Sequence, residues 1–205
     1  MFTHITFVLD SSGSMTAVEE DTKGGYNTFL ADQRDEDGEA TVSLYDFNTG
    51  VNRVYIGRRI EDAPELTDTN YSPGGMTALH DAIITAIDDT EDYLNTHIEE
   101  PENVILVVLT DGRENASETP ADAVRERIED RQDDGWEILF IGANQDAALT
   151  AGGMGIDSTH ARDMDHSGEG IRDAYEVTSR TVAHTRRTGR SDGFRTTDTD
   201  SGDSE

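Results

Sequence analysis

The chain has 205 residues, with 44 acidic against 16 basic side chains and a formal net charge of −28. That charge argues against nucleic acid or an anionic membrane as partner, because like charges repel at long range. With no cysteine in the chain, disulfides, thiolate metal sites and cysteine nucleophiles are excluded.

High charge with 34% hydrophobic residues fits two states. One is intrinsic disorder. The other is the acidic surface of a protein from a salt-in halophile, where molar salt screens the repulsion. Well-formed apolar strands favour the halophilic reading for residues 1–187. Lys23 is the only lysine. The N-terminus lacks a basic region followed by a long apolar core, so no secretory leader is expected and the cytoplasm is the expected location. No apolar run approaches the roughly 20 residues of a membrane span.

Phe2 to Leu9 reads as a central strand ending at Asp10. Two hydroxyls, Ser12 and Ser14, follow with Gly13 between them. Three hard oxygens on one tight loop suit a small divalent cation such as Mg²⁺. Thr16 to Ala31 predicts a helix, weakened by Gly24-Gly25. Ala40 to Phe47 and Val51 to Ile56 alternate around an Asn-Thr-Gly turn and predict an antiparallel hairpin. Residues 57–76 form a long polar loop with Pro64, Pro73 and Gly74-Gly75. Loops of that length in a compact domain are often functional.

Thr77 caps a strong predicted helix with Leu79, Ile83, Ile87 and Leu94 at helical spacing. Val104 to Leu109 is continuously apolar, which fits a strand buried on both faces. It ends in Thr110-Asp111-Gly112. Thr119-Pro120 opens a helix that Gly135 ends. Trp136 to Ile141 is another strand, and a short helix follows, with Asp146 as its cap and Asn144 as a rim residue. Ser158 to Met164 predicts an edge strand, and Gly168 to Arg187 a last helix. Residues 188–205 are expected to be a disordered acidic tail. Strands alternating with helices imply an α/β, Rossmann-like, doubly wound and mostly parallel sheet with helices on both faces. The hairpin adds one antiparallel edge strand. Ligands of such sheets bind at the C-terminal strand ends, where Asp10 and Asp111 both sit.

Asp10-Ser11-Ser12-Gly13-Ser14, Gly75-Met76-Thr77-Ala78-Leu79 and Leu109-Thr110-Asp111-Gly112 together resemble the von Willebrand factor type A (VWA) domain. More narrowly, they resemble its metal-ion-dependent adhesion site (MIDAS). Singly, Thr77 reads as a helix cap and Asp111-Gly112 as a turn. Jointly, the three segments stand in the family's order and structural contexts. The stretch Phe140 to Ile156 is also similar to bacterial and phage members. The resemblance implies that the metal residues are Asp10, Ser12, Ser14, Thr77 and Asp111. Ser12 and Ser14 would ligate directly, Thr77 directly or through water, and the two aspartates mainly through water. The implied cofactor is Mg²⁺ or Mn²⁺.

The resemblance implies a non-enzymatic, divalent-metal-dependent protein-binding module whose partner offers a Glu or Asp carboxylate. Two alternatives stand beside it. Some VWA proteins are subunits that partner an AAA+ ATPase in chelatase-like or activase-like complexes. A strand-terminal Asp10 also resembles the nucleophile of metal-dependent phosphoryl-transfer enzymes. Those enzymes use a second acid where this chain has Ser12, and neither a nucleophile elbow nor a phosphate-binding loop is present.

Overall fold

The computed structural model describes residues 1–96, 100–143 and 147–194. Among the described residues six strands form one sheet: β1 (Thr3–Asp10), β2 (Ala40–Phe47), β3 (Val51–Arg59), β4 (Asn103–Thr110), β5 (Glu137–Ala143) and β6 (Ala161–Met164). Their order is β3-β2-β1-β4-β5-β6, and only the β2–β3 pair is antiparallel. Helices α1 (Glu19–Asp35), α2 (Leu79–Thr96), α3 (Ala121–Asp133), α4 (Ala147–Gly153) and α5 (Gly168–Thr188) flank it. This is the doubly wound α/β architecture expected, with the hairpin supplying the antiparallel edge.

β1 and β4 lie at the centre, and every residue of both is buried. Their unbroken apolar runs follow from that: side chains of a parallel sheet meet helices on both faces. Ile5, Phe7, Leu9, Ile105, Val107 and Leu109 point into one core, with Tyr26 and Phe29 of α1 and Tyr175 of α5. Val8, Leu106 and Val108 point into the other, with Ile83 of α2 and Ile128 of α3. Phe7 sits between Tyr26, Phe29 and Tyr175, at ring-centroid distances of 5.3, 5.3 and 5.8 Å. Phe7→Ala would leave a cavity under three rings and cost about 3–5 kcal/mol.

Several boundaries differ from expectation. The first helix starts at Glu19, because Gly13–Val18 winds as a 3₁₀ turn out of the Asp10 loop. Gly24-Gly25 does not break it. A Cβ on Gly25 would lie 2.2 Å from Cδ2 of Tyr175, so the glycine is where α5 packs against the α1 backbone. Thr77 is not the helix cap: α2 begins at Leu79, and Ala78 offers the carbonyl that accepts from the Ala82 N–H. Likewise α3 begins at Ala121 with Pro120 before it. Ser158–His160 is a 3₁₀ turn, so the edge strand shortens to β6.

The packed chain also continues past residue 187. Helix α5 runs to Thr188, and Gly189 closes it at φ +70°. Phe194 is buried in the α1/α5 core, and its N–H donates to the Thr159 carbonyl at 2.9 Å. The proposed cap Asp146, the rim residue Asn144 and tail residues 195–205 lie outside the described residues.

Candidate metal centre

Parallel pairing of β1 with β4, Leu9 opposite Leu109, brings Asp10 beside Thr110 and Asp111 at the C-terminal edge of the sheet. Both aspartates are buried. Asp10 Oδ1 accepts from the Ser12 N–H at 2.6 Å, and Oδ2 accepts from the Thr110 hydroxyl at 2.6 Å. The first bond folds the Asp10-to-Ser14 segment back on itself, so that both serine hydroxyls meet. Ser12 Oγ lies 3.1 Å from Ser14 Oγ, which donates to Asp111 Oδ1 at 2.7 Å. The other oxygen of Asp111 lies 2.7 Å from Nε2 of His166.

Thr77 arrives on a third loop, and backbone contacts fix it there. Its N–H donates to Asn115 Oδ1 at 2.8 Å, and its carbonyl accepts from the Asn115 N–H at 3.0 Å. Ala78 N–H donates to the Asn48 carbonyl at 2.6 Å. The loop is clamped to the serine loop by Gly13 N–H to Gly75 O at 3.1 Å and Gly74 N–H to Ser11 O at 2.8 Å. Gly75 takes φ +83°, a left-handed conformation that favours glycine.

Gly112 reports on the space between the groups. A Cβ there would lie 2.7 Å from Thr77 Oγ1 and 3.4 Å from Asp10 Oδ2. The missing side chain leaves open a cradle bounded by a hydroxyl and a carboxylate. Hydroxyls from Ser12, Ser14 and Thr77 with two acidic neighbours are a hard-oxygen donor set, which fits a small divalent cation. The structure therefore brings all five expected residues to one edge.

Burial pushes the Asp10 carboxyl above the usual carboxylate range, against the lowering effect of the Thr110 and Ser12 bonds; Asp111 nearby adds to the rise. Asp46, which accepts from Ser11 Oγ at 2.8 Å, is pushed up by burial too. Thr110 belongs to the Leu109-Thr110-Asp111-Gly112 segment, but the supporting residues Asn115 and Asp46 carry no pattern in the sequence that marks them, since each acts through the fold. Tyr71 is buried and donates its hydroxyl to the Asp10 carbonyl at 2.7 Å, so it packs under the site. Met76 is half exposed on the rim. His166 carries no metal spacing, and only the β6–α5 connection places it here.

A family profile for the von Willebrand factor type A domain matches residues 4–176. The chain belongs to the VWA family. Inter-alpha-trypsin inhibitor heavy chain H2 of Mesocricetus auratus is 27% identical to this VWA domain over 150 residues, 70% of this chain and 16% of that protein. The Sus scrofa protein matches to the same extent. The VWA chain thus spans about a sixth of the length of these relatives. Among solved structures, the pilus adhesin SpaC of Lactobacillus rhamnosus GG matches 88% of this chain and 30% of its own, with TM-score 0.69 and 14% identity. Proximal thread matrix protein 1 from the mussel byssus, with a zinc-occupied MIDAS motif, matches 88% of this chain and 46% of its own, with TM-score 0.62 and 16% identity. These structural likenesses establish the fold. VWA domains generally mediate protein–protein interaction, and no helix among the described residues is long and apolar enough to cross a membrane.

Proposed function

We propose that this VWA domain is a divalent-metal-dependent binding module that recognises an acidic side chain on a partner protein. The observation that carries the reading is the convergence of the Ser12, Ser14 and Thr77 hydroxyls beside two aspartates whose oxygens are already engaged by protein groups. Ser12, Ser14 and Thr77 would hold Mg²⁺ or Mn²⁺, with Asp10 and Asp111 standing behind them. The bound ion supplies Lewis-acid attraction for a partner carboxylate. Neutral hydroxyls leave that attraction intact, whereas direct carboxylate ligands would quench it. Met76, half exposed beside Thr77, offers the partner an apolar contact.

Binding is favoured over catalysis by the order of the polar groups. Ser14 donates to Asp111, and His166 lies on the far oxygen of the same carboxylate. A nucleophilic serine needs the base next to its hydroxyl and the acid behind the base. Here the carboxylate stands in the middle. We further read the net charge of −28 as a surface suited to molar salt.

Titration calorimetry with Mg²⁺ and Mn²⁺ tests the reading, on the full chain and on Ser12→Ala. One site is expected in the wild type and its loss in the variant. Equal binding by both proteins would remove the assignment.

A further inference from the structure

We propose that His166 is a positioning residue that keeps the Asp111 carboxylate out of direct contact with the bound cation, and so preserves the ion's attraction for a partner's carboxylate. The inference rests on the metal-dependent reading above. Each oxygen of the two central carboxylates faces a polar group of the protein. Asp10 has the Ser12 amide and the Thr110 hydroxyl; Asp111 has the Ser14 hydroxyl on Oδ1 and His166 Nε2 on Oδ2. The first three groups belong to the segments that carry the MIDAS resemblance. His166 does not: it comes from the connection between β6 and α5.

Its position gives it leverage. Ser14, which engages Oδ1, is itself a ligand in the proposed site, and Oδ2 is the oxygen that His166 faces. The His166 ring stands against that oxygen, with 31% of its side chain exposed against 1% for Asp111. A carboxylate oxygen only accepts, and the tautomer carrying hydrogen on Nε2 suits the contact. His166 also lines a cavity of about 630 Å³ with Asp163, Asp165, Glu169 and Asp173. Without the ring, Oδ2 would face this acidic space, and like charge would drive it toward the cation instead. Direct ligation by Asp111 would tighten metal binding, displace a coordinated water and weaken the ion as an acceptor.

Mn²⁺ is the probe, used with the full chain in molar KCl to suppress weak binding to the acidic surface. Electron paramagnetic resonance of free Mn²⁺ gives affinity, and water-proton relaxation gives the number of coordinated waters. His166→Ala is expected to bind Mn²⁺ about tenfold more tightly, with one water fewer. His166→Gln keeps an N–H donor and is expected to resemble the wild type. His166→Ser carries the test if the alanine variant does not fold. Unchanged affinity and water count in the donor-less variants would overturn the proposal. Weaker binding with an extra water would overturn it too, because His166 would then be a direct ligand. A wild type that binds no Mn²⁺ removes the metal-dependent reading and this inference together.

Discussion

Two acidic clusters among the described residues handle their charge in opposite ways. On the α1 surface, Glu19, Glu20 and Asp68 bring carboxylate oxygens within 4.8 Å of one another, which on ligand count alone resembles a cation site. Lys23 fills it: its ammonium pairs with Asp68, with Glu20 at 2.6 Å and with Glu19 at 3.2 Å. At the sheet edge, Asp10 and Asp111 meet an amide, two hydroxyls and an imidazole, with hydroxyls crowding the space between them. The first cluster brings its own cation. The second is built of polar groups of the protein around a cradle that suits a cation from solution. Carboxylate density therefore says little about where a metal binds; the donors around the carboxylates say more.

Removing the hydroxyls should break the contrast most completely. Ser12→Ala with Ser14→Ala is expected to lower Mn²⁺ affinity by on the order of 100-fold or more, read by calorimetry. Circular dichroism should be unchanged, since neither serine contributes to the apolar cores. Closing the cradle should do less. Gly112→Ala places a methyl against Thr77 Oγ1 and is expected to weaken Mn²⁺ binding about tenfold, because the loop must shift to admit it.

The Lys23 cluster offers the converse. Lys23→Ala, made in the serine-less background, leaves three carboxylates without their ammonium. Its melting temperature is expected to fall in low salt and to recover in molar KCl or with added Ca²⁺, as a solution cation replaces the lysine. No such Ca²⁺ rescue is expected while Lys23 is present. Asp10→Asn separates stability from binding. Burial of the ionised group costs folding energy, so the metal-free variant is expected to melt about 2–4 °C higher while losing metal-induced stabilisation.

A smaller effect concerns a third way of holding charge. Glu114 accepts from the Ala116 and Ser117 amides and, at the start of α2, from the His80 amide. Burial raises its carboxyl, but these bonds and the Ser117 hydroxyl outweigh burial and leave it below the usual glutamate value. A depressed carboxyl contributes stability above its unfolded value, near 4.5, that is lost as pH falls through the lowered value. Glu114→Gln is expected to flatten the acid limb of a stability–pH curve and leave the neutral region's slope unchanged.

The central strands and the Asp10, Ser12 and Ser14 loop were legible in the sequence for one reason. Each is marked by local pattern: an apolar run that ends in a carboxylate, alternate hydroxyls, a glycine between them. Thr77 and Asp111 were legible only jointly with that loop, through the resemblance to VWA domains. What escaped was set by distant contacts. Gly25 looks like a helix breaker until Tyr175 is seen against it. Phe194 sits in a stretch whose composition reads as disordered, yet it reaches the core beside Thr159. His166 shows no ligand spacing because the β6–α5 connection, not a motif, brings it to Asp111. Thr77 looks like a helix cap on propensity, but the helix starts two residues later and Asn115 holds the threonine in its loop.

Crystals grown with Mn²⁺ and measured at an anomalous wavelength test the central claim most directly. The account predicts one strong peak within direct ligand distance of the Ser12, Ser14 and Thr77 hydroxyls, separated from Asp111 by water, with an exposed coordination position. A strong peak at Glu19, Glu20 and Asp68 with none at the sheet edge would contradict it.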